Sequence, residues 1–303
     1  MQFIETPASR FDDLLDYPFA ENRVRVDERG LSMHYVDEGG RDAAPILMLH
    51  GEPTWSYLYR HMIPACVAAG HRVIAPDLIG FGKSSKPTRI RDYSYLAHCQ
   101  WLRVLIEALD LQGITLFCQD WGSLIGLRLA AEMPERFARI VVGNGFLPEA
   151  TQPRWRDLKT SAAFLIWRTF ATTTPYLPIA RIVQTGTRRR LAAEELRAYD
   201  APFPDRRYKA GARAFPGLVP MGPKDPAAAA NQRAWRVLEQ WTKPFLTVFS
   251  TGDPITRGLE RKLQGRIPGA AGQAHRKVRG GHFLQEDASA ELCAAILELI
   301  AKG

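Results

Sequence analysis

The residue that most invites chemistry in this chain is Asp120. It stands in Gln119-Asp120-Trp121-Gly122, between an apolar run at 114–118 that reads as a buried strand and an apolar stretch at 123–133 that ends before Pro134 and reads as a buried helix. A carboxylate at so sharp a turn is anionic at neutral pH and needs no base before it attacks carbon. At an sp3 centre it would displace a leaving group and become an alkyl ester. Cleaving that ester with water calls for a base, an acid that orients the base, and N–H donors for the oxyanion. The competing reading of Asp120 is a helix N-cap.

The base and the acid come later in the chain. His282 sits in Gly280-Gly281-His282-Phe283 after the last expected strand, and Asp253 sits in Gly252-Asp253-Pro254 after the strand expected at 244–249. All three groups would lie just past the carboxyl ends of strands, where open α/β sheets bind ligands. The order nucleophile, acid, histidine resembles that of the α/β-hydrolases, whose tight Gly-x-nucleophile-x-Gly turn is matched here by Cys118-x-Asp120-x-Gly122. Asp253 has a plain Gly-Asp-Pro turn as its alternative. Asp77, before a Gly-rich turn, reads as structural. By the same pattern the oxyanion donors are the backbone N–H groups of Trp121 and of Glu52 in His50-Gly51-Glu52-Pro53, and the role of the Glu52 side chain is open. The Trp121 indole N–H is a neutral donor suited to a weak acceptor such as halide. A second tryptophan from the middle of the chain would complete a clamp, with Trp155 and Trp167 as candidates. Trp167 would share a helix face with Phe164. Core packing is the alternative role for each.

Positioning these groups requires a layered fold. Residues 22–38 read as a hairpin, 45–49, 72–75, 114–118 and 139–143 as buried strands, and 95–109 as a helix. This alternation argues for an α/β fold, a mostly parallel central sheet flanked by helices. From 148 to 229 the buried strands vanish, and helical stretches rich in Trp, Phe and Arg alternate with Pro-containing links. That segment reads as a helical cap inserted after the sixth strand. Strands resume at 244–249 and 274–278, and a terminal helix is expected at 288–302. The division expected is therefore a core of residues 1–147 and 230–303 and a cap of residues 148–229.

Composition narrows the function classes. The chain has 303 residues, 46% of them hydrophobic, enough for a sizeable core. Its formal net charge is +8, with clusters such as Arg188-Arg189-Arg190 but no nucleic-acid-binding motif, so a solvated basic surface is expected and no nucleic-acid partner. No apolar run reaches the length of a membrane span. The N-terminal stretch carries acids and lacks the basic-then-apolar order of a secretory leader. Four cysteines without C-x-x-C spacing argue for free thiols and a cytoplasmic location. No ligand-spaced cluster argues for a metal, and no cofactor is expected.

Four runs carry a resemblance: HGEPTWSYLYRHMIP at 50–64, APDLIGFGKSSKP at 75–87, QDWGS at 119–123 and YDAPFPDRRYKAGARAFP at 199–216. They resemble the haloalkane dehalogenases, and the similarity covers nearly the whole chain. The resemblance implies an α/β-hydrolase fold with Asp120 as nucleophile, His282 as base, Asp253 as the acid orienting it, and halide held between the indoles of Trp121 and Trp167. It also implies a pocket wall of Leu124, Phe164, Phe215, Pro216, Val219 and Ile255. The partners would be a small halogenated alkane and water, with halide ion as product, and a monomer is expected. Cys118 and Ser123 depart from the family pattern beside Asp120, and residues 148–190 match it most loosely. An epoxide hydrolase is the alternative, using the same Asp-His-Asp set with paired cap tyrosines, for which Tyr176, Tyr199 and Tyr208 are available. A fluoroacetate-type enzyme would want arginines beside the nucleophile, and Trp121-Gly122-Ser123 offers none. A binding protein without turnover and a light-emitting oxygenase share this scaffold as more distant readings.

Overall fold

The computed structural model describes residues 1–151, 158–174 and 176–302, and for 158–164 only the course of the backbone. Trp155 and the side chain of Phe164 lie outside the described set.

Eight strands form one sheet: β1 (Asn22–Arg25), β2 (Ser32–Glu38), β3 (Pro45–Leu49), β4 (Arg72–Pro76), β5 (Ile114–Cys118), β6 (Phe137–Val142), β7 (Phe245–Ser250) and β8 (Arg276–Val278). Their order is β8-β7-β6-β5-β3-β4-β2-β1. The β1–β2 and β2–β4 pairs are antiparallel and all the others parallel. Every residue of β3 and β5 is buried, as a strand covered on both faces requires. Alternate side chains divide between two apolar clusters. Leu47, Leu49 and Leu116 enter one, with helices α2 (Tyr95–Ala108) and α3 (Trp121–Glu132). Ile46, Met48 and Phe117 enter the other, with α1 (Met62–Ala68) and α10 (Leu284–Ala301).

Register decides where the functional loops emerge. Leu49 pairs with Cys118, Cys118 with Val142, and Val142 with Thr247. The segments after β3, β5, β6 and β7 therefore leave the sheet side by side at its carboxyl edge, bringing Glu52, Asp120, Asn144 and Asp253 together from positions far apart in sequence.

Beyond β6 come α4 (Leu158–Thr173), α5 (Ile179–Thr185), α6 (Ala193–Asp200), α7 (Ala210–Leu218) and α8 (Ala228–Leu238), and α9 (Glu260–Arg266) follows β7. The boundary expected at 229 falls inside α8. That helix packs on α3, and its Asn231 bonds both Arg128 and the Pro148 carbonyl. Residues 189–199 are tied to the rest of the fold by a largely buried charge network. Arg60 donates to both oxygens of Glu286 at 2.5 and 2.9 Å and to Glu195 of α6 at 2.5 Å, while Arg189 bridges the same two carboxylates and the Tyr199 hydroxyl bonds Glu286. Two guanidinium groups on two carboxylates satisfy a cluster that, if only one partner were present, would be strongly unfavourable to bury.

Two helix starts differ from the sequence reading. α3 begins at Trp121 rather than Ser123, because Asp120 makes the whole turn by itself. α10 begins at Leu284 rather than 288. Ala288, at φ −145° and ψ 36°, kinks it, so the expected start marks the kink, and a first turn containing Glu286 and Asp287 precedes it. Among the described residues no helix is long and apolar enough to cross a membrane.

Candidate active site

Asp120 occupies φ 49°, ψ −125°, a left-handed conformation that L-residues adopt only where surrounding structure enforces it. Its side chain makes no capping bond to α3, which removes the N-cap reading. The turn is tight enough that a Cβ on Gly122 would lie 2.1 Å from the Leu49 carbonyl oxygen, and one on Gly51 2.2 Å from Asp120 Oδ1. Glycine at both positions lets β3, the nucleophile turn and α3 meet. The Glu52 N–H donates to Asp120 Oδ1 at 2.8 Å. The other carboxylate oxygen, Oδ2, is 3.5 Å from His282 Nε2.

His282 Nδ1 lies 3.1 Å from Asp253 Oδ2, within ion-pair range though off the line of an aligned hydrogen bond. Asp253 is held from behind by the N–H groups of Ile255 and Thr256 at 2.9 and 3.2 Å and by the Thr256 hydroxyl. Burial pushes the Asp253 carboxyl up, but His282 and Thr256 outweigh it and hold it at about 2. Burial pushes the His282 imidazolium down, and the Asp253 and Asp120 carboxylates more than reverse this, raising it to about 10.

These shifts have opposite signs in stability. The raised His282 value stabilises the fold fully below its ordinary value of 6.5, and that contribution fades as pH rises toward 10. The lowered Asp253 value stabilises above 3.8 and fades as pH falls toward 2. The pair is therefore most stabilising between the two ordinary values. We expect urea midpoints of the wild type to decline between pH 6.5 and 10 more steeply than those of His282→Gln, and parallel declines would refute the assignment.

Glu52 is 5% exposed, and its Oε1 is buried without a partner. Burial first, and the charge of Asp120 second, push its carboxyl well above the usual range. A cavity of about 590 Å³ opens over these groups. Glu52, Asp120, Trp121, Leu124, Trp167, Pro216, Val219, Ile255 and His282 all line it. Trp121 is wedged against Phe215 at 4.4 Å and Tyr95 at 5.6 Å between ring centroids, and Trp167 faces the cavity from α4. Among the described residues neither indole N–H has a hydrogen-bond acceptor. Phe215 sits one layer back, fully buried behind Trp121, and supports that ring instead of facing the cavity.

Sequence reasoning passed over two further residues. Asn144, fully buried at φ 42°, accepts from the Ser250 N–H, and its amide reaches the carbonyls of Gly281 and His282 at 2.9 and 3.0 Å. Its own carbonyl accepts from the Asp120 N–H at 3.1 Å, so it ties the Asp120 turn to the histidine loop. The available signal was Gly143-Asn144-Gly145 at the end of a buried strand. Gln119, buried beside Asp120, places its Nε2 3.2 Å from both the ring Nε2 and the carbonyl oxygen of His282. Asp77 is structural as expected, accepting from the Ser56 and Lys83 N–H groups and pairing with His34. The tyrosines that the epoxide hydrolase reading would need do not face the cavity. Tyr176 is exposed, Tyr199 is engaged with Glu286, and Tyr208 lies outside the lining.

The sheet order, the sharp Asp120 turn after β5 and the Asp253 and His282 loops after β7 and β8 define an α/β-hydrolase, and the family model for the alpha/beta hydrolase fold matches residues 44–289. Relatives narrow this. "Haloalkane dehalogenase 1" of Mycobacterium tuberculosis is 55% identical over 300 residues, covering 98% of each chain. A haloalkane dehalogenase of Psychrobacter cryohalolentis is 49% identical over 304 residues, covering 99% of this chain and 98% of its own. The tetrameric structure of the haloalkane dehalogenase DpaA of Paraglaciecola agarilytica superposes with a TM-score of 0.90 at 34% identity, covering 100% of this chain and 99% of that one. The chain belongs to the haloalkane dehalogenase family.

Proposed function

We propose that this protein cleaves carbon–halogen bonds of haloalkanes in two steps. In the first, Asp120 Oδ2 attacks the carbon bearing halogen, the C–O bond forms as the carbon–halogen bond breaks, and the halide leaves toward the indole N–H groups of Trp121 and Trp167. In the second, His282 takes a proton from water, which attacks the Asp120 ester carbonyl. The N–H groups of Glu52 and Trp121 stabilise the oxyanion, and collapse returns the Asp120 carboxylate with the alcohol as product. The products are an alcohol, a halide and a proton.

The observation that carries this reading is that Trp121 and Trp167 line one largely apolar cavity with Asp120, and that among the described residues neither indole N–H has an acceptor. The charge balance supports it too. In the resting site Asp120 helps hold the proton on His282. Alkylation turns Asp120 into a neutral ester and removes that support, so His282 holds its proton less tightly when a base is needed, while Asp253 remains beside it.

The test is halide release from a panel of brominated and chlorinated alkanes, with styrene oxide alongside. Halide without diol supports the proposal, and diol without halide would move it to the epoxide hydrolases. Trp121→Phe and Trp167→Phe are each expected to lower kcat/KM by roughly 10- to 100-fold, the worth of one hydrogen bond to a charged group. An unchanged value for either would remove that tryptophan from the halide site. Within the same reading, residues 148–229 act as the lid that closes the cavity, the chain works in the cytoplasm, and it functions as a monomer. Light scattering in solution tests the last point, since the superposed relative is described as tetrameric.

A further inference from the structure

The loop carrying His282 is fastened on both sides of the histidine, and the fastenings reach into the cap. After it, the Phe283 N–H donates to the Gly186 carbonyl at 3.0 Å, where the cap chain turns out of α5. Before it, the Gly281 N–H donates to Asp287 Oδ2 at 2.8 Å. The same carboxylate accepts from the Arg188 N–H at 3.0 Å and from the Arg189 N–H at 2.8 Å. Asp287 thus collects three backbone N–H groups, one from the histidine loop and two from the cap. The contact is close. A Cβ on Gly281 would lie 2.2 Å from the Gly186 carbonyl oxygen, and one on Gly186 would lie 2.6 Å from the Phe283 ring, so both positions require glycine. Gly186, Thr187 and Arg188 all line the cavity.

We propose that Asp287 is a positioning residue that couples the cap turn at 186–189 to the His282 loop and thereby holds the base in line for ester hydrolysis. The carboxylate touches no reacting atom. It satisfies N–H groups of two chain segments at once, so the cap cannot shift over the cavity without disturbing the residue next to His282. This rests on the two-step reading above. Because only the second step needs the base, the two steps separate what Asp287 does for His282 from what it does for the fold.

The experiment compares the full-length wild type, Asp287→Ala and Asp287→Asn with 1-bromohexane. Halide is followed in the first turnover and at steady state, and intact protein is examined by mass spectrometry. Asp287→Ala is expected to keep a first-turnover burst of one halide per chain, to slow the steady state by roughly 10- to 100-fold, the effect of misplacing a catalytic group by about an ångström, and to accumulate alkyl ester on Asp120. Asp287→Asn keeps one acceptor oxygen and is expected to recover part of the rate. Equal loss in burst and steady state, or no loss in either, would overturn the proposal. If Asp287→Ala does not fold, Asp287→Asn decides: a wild-type steady state and no accumulated ester would leave Asp287 a purely structural role. Absence of any halide from the wild type would instead sink the underlying reading.

Discussion

Asp120→Ala is expected to release no measurable halide from any haloalkane that the wild type consumes, a loss of roughly 10⁴- to 10⁶-fold, as found when a nucleophile is removed from an otherwise intact hydrolase site. The expectation follows from the geometry of one carboxylate. Its Oδ1 is occupied by the Glu52 N–H at 2.8 Å, while Oδ2 faces His282 in the cavity. The other carboxyl that lines that cavity among the described residues, Glu52, is pushed well above its usual range by burial and by the neighbouring Asp120, which favours its uncharged form. The variant should still fold, because the Asp120 side chain caps nothing in α3. Ion chromatography of halide together with circular dichroism of the variant makes the check. Residual turnover within tenfold of wild type in a folded variant would mean that water attacks the substrate directly.

His282→Gln should separate the two chemical steps. Attack by a carboxylate needs no base, so the variant is expected to release one halide per chain and then stall. Ester hydrolysis should slow by roughly 10²- to 10⁴-fold, the usual worth of a general base. The trapped species would appear in intact-protein mass spectrometry as the chain plus the alkyl group of the substrate, and proteolysis would map it to Asp120. Loss of the burst together with the steady state would place His282 in the first step. An unaffected steady state would hand the base role to another group. The elevated His282 value adds a signature in the wild type: the burst should change little with pH, whereas ester hydrolysis should accelerate with rising pH as the imidazole of the alkylated form loses its proton.

The placement of the site was legible in the sequence because its signals are local. Asp120 between a buried strand and a buried helix, Asp253 and His282 after later strands, and the His-Gly-Glu-Pro turn are each short patterns, and the rule that ligands bind at the carboxyl ends of parallel strands places them together. The central strands were equally legible, since a strand buried on both faces is a continuous apolar run. Other features depend on contacts between segments far apart in sequence. Asn144 and Gln119 look like ordinary loop polars until the register of β5, β6 and β7 brings them against the His282 loop. Phe215 had the right chemistry for a pocket wall, but the path of α7 sets it behind Trp121. The first turn of α10 was hidden by the kink at Ala288, and with it the pairing of Glu286 with Arg60 and of Asp287 with the Arg188 and Arg189 N–H groups. The residue types and their order by themselves determined which groups this chain can bring to the carboxyl edge of its sheet, a carboxylate, an imidazole and a second carboxylate, because those are chemical identities. Only the tertiary structure decided which groups hold them in line, because a hydrogen bond between residues a hundred positions apart leaves no local pattern in either segment.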